Sequence, residues 1–175
     1  MKNKYILLVI SLFCVFSIHG CLDETEKAVR SLLGKTLVLP IEIDIQKADY
    51  PYKIVSYLDP SLCDSCINNY LFAASLFLES LKNDSILFIA IKSERKESKT
   101  VDTNYGYFKN TIIIHDLDNK FFTYNNIEKY PKSMRTYLLD RKNHIQLVGD
   151  PLRNNNIQLL TVKQVSTLNN VIKCN

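Results

Sequence analysis

Cys63 and Cys66, separated by Asp64 and Ser65, are the side chains of this chain best placed for covalent chemistry. Thiol–disulfide exchange needs an attacking thiolate, a second thiol close enough to resolve the mixed disulfide, and access for a partner. Cys63 is the expected nucleophile, being the more exposed and nearer a helix end. Cys66 lies three residues on along the same helical face and is the expected resolving thiol. A helix N-terminus lowers a thiol pKa from about 8.5, whereas the neighbouring Asp64 pushes it up. The two opposed effects predict a modest shift and a reducing rather than strongly oxidising couple. A permanent disulfide is the alternative in an oxidising compartment. Closing so short a loop would restrict the unfolded chain little, because that benefit grows with loop length. A zinc site would need two further ligands, and past residue 21 only His115, His144 and Cys174 remain as added His or Cys donors. None has a second ligand at a suitable spacing, so neither a metal nor a cofactor is expected.

The elements that must position the thiols are legible around them. Lys53 to Leu58 is a short apolar run with β-branched and aromatic residues, a buried strand ended by Asp59-Pro60-Ser61. Beyond the cysteines the period changes: Ile67, Leu71, Ala74, Leu78 and Leu81 recur as on one face of a helix. The pair therefore sits where a strand hands over to a helix's first turn, with its unpaired N–H groups and favourable dipole.

Further along, Ser85 to Ile91 is a continuous apolar run suited to a strand covered on both faces. Lys92 to Thr100 reads as a solvated helix start or loop, Thr111 to His115 as a third strand, and Asp116 to Asn119 as a turn over Phe121, Phe122 and Tyr124. Arg135–Leu139 and His144–Val148 form a predicted hairpin, and Ile157–Ile172 a closing helix with Leu160, Val162, Val165 and Leu168 among its apolar residues. Before the cysteines, Leu22–Leu33 predicts a short amphipathic helix stopped by Gly34, and Leu37–Ile45 strand-like alternation interrupted by Pro40. The order is that of an α/β fold with a central mixed sheet flanked by helices.

The N-terminus reads as an address. Lys2 and Lys4 precede an apolar stretch, Tyr5 to Ile18, of signal-peptide length. It ends Ser17-Ile18-His19-Gly20-Cys21, which resembles a bacterial lipobox and implies lipidation of Cys21. The expected organisation is a signal peptide at 1–20, a tether and N-terminal extension at 21–40, and one domain at 41–175. Loss of Lys2 and Lys4 lowers the net charge from +4 to +2, and no basic stripe suggests a nucleic-acid partner.

With a strand–Cys-x-x-Cys–helix unit, a late hairpin and a closing helix, the chain resembles the thioredoxin fold. It is similar in particular to the TlpA- and ResA-type thiol–disulfide oxidoreductases among periplasmic lipoproteins, including thioredoxin-like lipoproteins of Bacteroides-type bacteria. Tyr57-Leu-Asp-Pro-Ser-Leu-Cys63 and the hairpin Thr136–Gly149 carry the likeness, which runs from about Ile41 to Ile172. It implies a lipid-anchored envelope oxidoreductase facing the periplasm or cell surface, acting on envelope proteins with thiols or disulfides and recharged by a thiol electron donor. A non-catalytic binding module of the same fold, with a structural or vestigial disulfide, is the alternative. The resemblance places substrate contact at Met134 and Arg135, just before the hairpin, where such proteins carry a cis-proline; Pro131 lies three residues earlier. It also implies a buried acid six residues before the first cysteine, where this chain has Tyr57.

Overall fold

The computed structural model describes residues 24–40, 50–81, 85–93, 108–116 and 118–173, with side chains described to residue 167. The chain divides into two compact units, 1–31 and 32–175. The described part of the first is helix α1, Glu24–Leu32, whose last residue falls in the second unit. Acids in its first turn and Arg30 in its last complement the helix dipole. Arg30 also reaches back one turn to Glu26 at 2.8 Å.

The second unit is built on five strands: β1 Tyr52–Leu58, β2 Ile86–Ser93, β3 Thr111–Asp116, β4 Thr136–Asp140 and β5 Ile145–Val148. Their spatial order is β3-β2-β1-β4-β5. β1, β2 and β3 run parallel, while β4 pairs antiparallel with both β1 and β5. The central strands are apolar on both faces because both faces are covered. On one side lie α2, Asp64–Ser80, and α4, Asn155–Lys173. Ile67, Leu71, Ala74, Phe77 and Leu78 of α2, with Val165 of α4, pack there against Ile54, Leu58, Phe88 and Leu138. The alternate face of β1 carries Tyr57, which stacks on Phe121 of α3, Lys120–Tyr124, with ring centroids 6.1 Å apart. Two 3₁₀ turns, Ile127–Lys129 and Lys132–Met134, lead from α3 to β4.

Several sequence expectations are corrected. Residues 37–40 form no strand; Thr36 makes an isolated antiparallel bridge to His144. The Asn125 side chain takes the backbone of Val38 instead, accepting from its N–H at 2.8 Å and donating to its carbonyl at 2.9 Å. Residues 41–45 lie outside the described residues. Lys92 is not the start of a solvated segment but belongs to β2, while 94–100 lie outside the description. Of the three aromatic residues expected under the turn, Phe121 is buried and Tyr124 is exposed, because a helix of five residues cannot turn all three inward. Among the described side chains of α4 the buried residues are Thr161 and Val165, one turn apart, whereas Leu160 and Val162 are exposed.

Candidate redox site

β1 ends at Leu58, and the next four residues are folded by one side chain. The Asp59 carboxylate accepts from the Ser61 N–H at 3.0 Å and from the Ser61 hydroxyl at 2.6 Å, while its carbonyl accepts from the Leu62 N–H. Asp59 also pairs with Lys132 from the turn before β4. Lys132 and the Ser61 donors hold its carboxyl well below the usual carboxylate range. Asp59 is thus a clasp between two loops rather than a base waiting for a proton.

The clasp delivers Cys63 to the N-cap of α2 in extended conformation, φ −73° and ψ 155°. Its sulfur does what a Ser or Asp oxygen does at most caps: it accepts the Cys66 N–H, at 3.2 Å. The Cys63 carbonyl receives the Ile67 N–H at 3.0 Å and closes the first turn. The Ser65 hydroxyl lies 3.1 Å from the same sulfur. Cys63 and Cys66 are joined as a disulfide, with Cα atoms 5.1 Å apart. After reduction, one N–H and one O–H would face the Cys63 thiolate, and hydrogen bonds to an ionised acceptor are the strong ones. Both cysteines are exposed, Cys66 included, because Ile67 takes the inward position of that turn.

Asp64, the residue expected to oppose the thiolate, is neutralised across the sheet. Leu58 pairs in register with Lys92 of β2, which sets Lys92 beside the end of β1. From there Lys92 Nζ reaches Asp64 Oδ1 at 3.1 Å. This pairing is not legible in the sequence, because the two residues lie 28 apart and meet only through the β1–β2 register. Ser65 was equally silent, its role following from where the N-cap falls.

The residues assigned to substrate contact lie in the segment entering β4. Met134 is buried, and its N–H donates to the Pro131 carbonyl at 2.9 Å. Pro131 precedes the 3₁₀ turn, and the described residues contain no cis peptide bond. The Arg135 carbonyl accepts the Tyr57 N–H at 2.9 Å, and Thr136 then pairs in register with Ser56. Arg135 lines a cavity of about 260 Å³ that also meets Ser61 and Leu62, immediately before Cys63. Cys21 and Cys174 lie outside the described residues.

Tyr57, at the place of the implied buried acid, is enclosed by aromatic rings, with Phe122 at 5.1 Å between centroids as well as Phe121. Burial raises its pKa. Across β1, Ser56 joins a polar chain beneath α2: Thr136 Oγ1, Ser56 Oγ, Tyr70 Oη and Asp150 Oδ2, in steps of 3.0, 2.9 and 2.9 Å. A carboxylate only accepts, so Tyr70 donates to Asp150, Ser56 to Tyr70 and Thr136 to Ser56.

Three parallel strands, an antiparallel pair at one side, and a cysteine pair capping the helix after the central strand decide the class. That strand order and pairing, with the cysteine pair after the central strand, is the topology of a thioredoxin-like fold. No family model matches the chain, and no curated protein matches it in sequence. Among solved structures it is similar to the thioredoxin domain of a thiol-disulfide oxidoreductase from Bacteroides vulgatus, at 14% identity over 73% of this chain and 96% of that one, with a TM-score of 0.43. It is also similar to the mitochondrial 2-Cys peroxiredoxin of Plasmodium falciparum, at 11% identity over 71% and 81%, with a TM-score of 0.46. A thioredoxin-like protein from Bacteroides caccae matches at 17% identity over 65% of this chain and 41% of its own, with a TM-score of 0.40.

Proposed function

We propose that this protein is a membrane-anchored thiol–disulfide oxidoreductase of the bacterial envelope that reduces protein disulfides. The observation that carries the reading is Cys63 at the N-cap, exposed and bonded to Cys66, with the Cys66 N–H and the Ser65 hydroxyl directed at its sulfur. In the reduced protein the Cys63 thiolate attacks one sulfur of a partner's disulfide, and the other sulfur leaves as a thiolate. The Cys66 thiolate then attacks the Cys63 sulfur, and the partner's second thiolate leaves. The partner gains two electrons and, with two protons from solvent, becomes a dithiol. Cys63–Cys66 becomes the disulfide, and a second dithiol in the envelope must reduce it again.

The placement of the protein in the envelope rests on the lipobox-like sequence ending at Cys21. No described helix is long and apolar enough to cross a membrane. Cys21→Ala is expected to release the protein from the membrane fraction or to block its processing; retention of a processed Cys21→Ala protein would remove the anchor from the reading.

The decisive test exploits the different tasks of the two thiols. Cys66→Ser leaves an attacking residue with no means of release, so mixed disulfides should accumulate through Cys63. Cys63→Ser should accumulate far fewer. Acid-quenched cells carrying each variant are compared by non-reducing electrophoresis, alongside reduction of a model disulfide by the purified protein. Negligible trapping by both variants and no reductase activity would decide for a binding module of the same fold. The aromatic setting of Tyr57 in place of an acid favours that second reading.

A further inference from the structure

Where the N-terminal segment joins the sheet, large apolar side chains are left in solvent: Leu33 is 43% exposed, Val38 52% and Tyr124 65%. Val38 and Tyr124 lie together, because the side chain of Asn125 holds the Val38 backbone by its N–H and its carbonyl. Both line a groove of about 230 Å³ on the α3 face of the sheet, floored by the buried Leu32, Leu37 and Ile145. One wall is fixed by the backbone: the Gly34 N–H donates to the Ile145 carbonyl, the Ile145 N–H to that of Lys35, and the Leu37 N–H to that of Asn143. Lys35 and Lys129, both exposed, belong to the lining, which holds no Asp or Glu.

The chain that precedes this face says what can cover it. On the anchored reading Cys21 carries acyl chains in the bilayer, and Leu32 follows it by 11 residues. Residues Glu24–Leu32 of that stretch are helix α1, which advances only about 1.5 Å per residue. Cys21 and Leu32 can therefore be no more than about 25 Å apart, less than the roughly 35 Å width of a compact domain of this length. The surface around Leu32 is thus the part of the domain held nearest the lipid. A tyrosine has an apolar ring and a polar tip suited to headgroup depth, and lysines beside it attract anionic headgroups. Asp23 and Glu24 near the anchor oppose that attraction, whereas Glu26 is occupied by Arg30. We propose that this face docks on the anionic bilayer, with Leu33, Val38 and Tyr124 in the interface and Lys35 and Lys129 against the headgroups. The inference rests on the lipid-anchor reading and adds an orientation to it. Cys63 caps a helix on the other face of the sheet, so docking leaves the disulfide open to partners.

The chain contains no tryptophan, so a single introduced one reports alone. Full-length lipidated Tyr124→Trp is reconstituted into vesicles of phosphatidylethanolamine and phosphatidylglycerol, with and without brominated acyl chains. Val38→Trp is a second reporter on the same face. Phe72→Trp is the reference, because Phe72 is exposed on α2, across the sheet. Tyr124→Trp and Val38→Trp should lose emission to the brominated lipid, and Phe72→Trp should not. Adding Lys35→Glu and Lys129→Glu to the Tyr124→Trp chain should restore most of the lost emission. Equal quenching of all three reporters, or quenching of none, overturns the docking face. Mass spectrometry of Cys21 reads the anchor separately. An acylated Cys21 with unquenched reporters keeps the anchor and loses the face. An unmodified Cys21 removes the anchor, and the face then stands only if vesicles added to the protein quench Tyr124→Trp above Phe72→Trp.

Discussion

Lys92 Nζ sits 3.1 Å from Asp64 Oδ1, so the acid between the two cysteines is matched by a base from the neighbouring strand. Asp64 is largely exposed and Lys92 largely covered, so the lysine is the fixed member of the pair. Its effect on Cys63 is indirect: it offsets a negative charge that would otherwise disfavour the thiolate. Lys92→Gln is expected to slow alkylation of the reduced protein at neutral pH by roughly two- to fivefold, the scale of one solvent-screened charge. The effect should shrink with added salt. An unchanged rate at low salt would show that Asp64 does not act on Cys63.

Ser65 acts on the same sulfur directly, through a hydroxyl 3.1 Å away. Ser65→Ala removes that donor and leaves the Cys66 N–H in place. Alkylation of reduced Cys63 at neutral pH should slow by about three- to tenfold, as expected for the loss of one hydrogen bond to a charged acceptor at an exposed site. The pH–rate profile should move toward higher pH, because the thiolate has lost stabilisation and the thiol has not. A profile identical to wild type would assign the hydroxyl to the disulfide form alone.

Beneath α2, the Thr136–Ser56–Tyr70–Asp150 chain predicts an alkaline limit to stability. Burial, followed by the Asp150 charge, raises the Tyr70 pKa far above its ordinary value of 10.0. Tyr137 is raised mainly by burial. A group whose pKa is higher in the folded state contributes stability that is complete below the unfolded value and declines above it. Unfolding free energy should therefore fall as pH rises past 10. In Tyr70→Phe that decline should be shallower, while stability at neutral pH drops by about 1–3 kcal/mol because Asp150 and Ser56 lose a partner. Urea denaturation across the alkaline range measures both.

The thiol pair, its strand and its helix were legible because their signals are local. Strand β1 departs from its predicted limits by one residue, and Ile67, Leu71, Ala74 and Leu78 are all buried at the spacing that predicted the helix. What the sequence hid depends on residues distant along the chain. Val38 is apolar and β-branched, yet its backbone is satisfied by the side chain of Asn125, 87 residues away. The salt bridge of Asp64 requires the β1–β2 register before Lys92 has any relation to it.

Tyr57 raises the question of whether an acid could be restored six residues before Cys63. Its surroundings predict that Tyr57→Asp would be costly. The side chain is 7% exposed and lies against Phe121 and Phe122, so a carboxylate there would exchange aromatic packing for a desolvated charge. The Asp116 carboxylate, buried and already committed to the Phe121 and Phe122 N–H groups, lies close enough to raise the Tyr57 pKa and would repel a second acid. Arg135 acts in the opposite sense, but its influence on this position is weaker than that of Asp116. Tyr57→Asp should therefore lose about 3–5 kcal/mol of stability at neutral pH, the combined scale of a lost buried ring and an unpaired carboxyl. Part of that loss should return as pH falls and the carboxyl takes up a proton, since the folded state favours its neutral form. Urea denaturation at neutral and mildly acidic pH gives both quantities. Full stability at neutral pH would mean that the aromatic stack is dispensable and the position open to an acid.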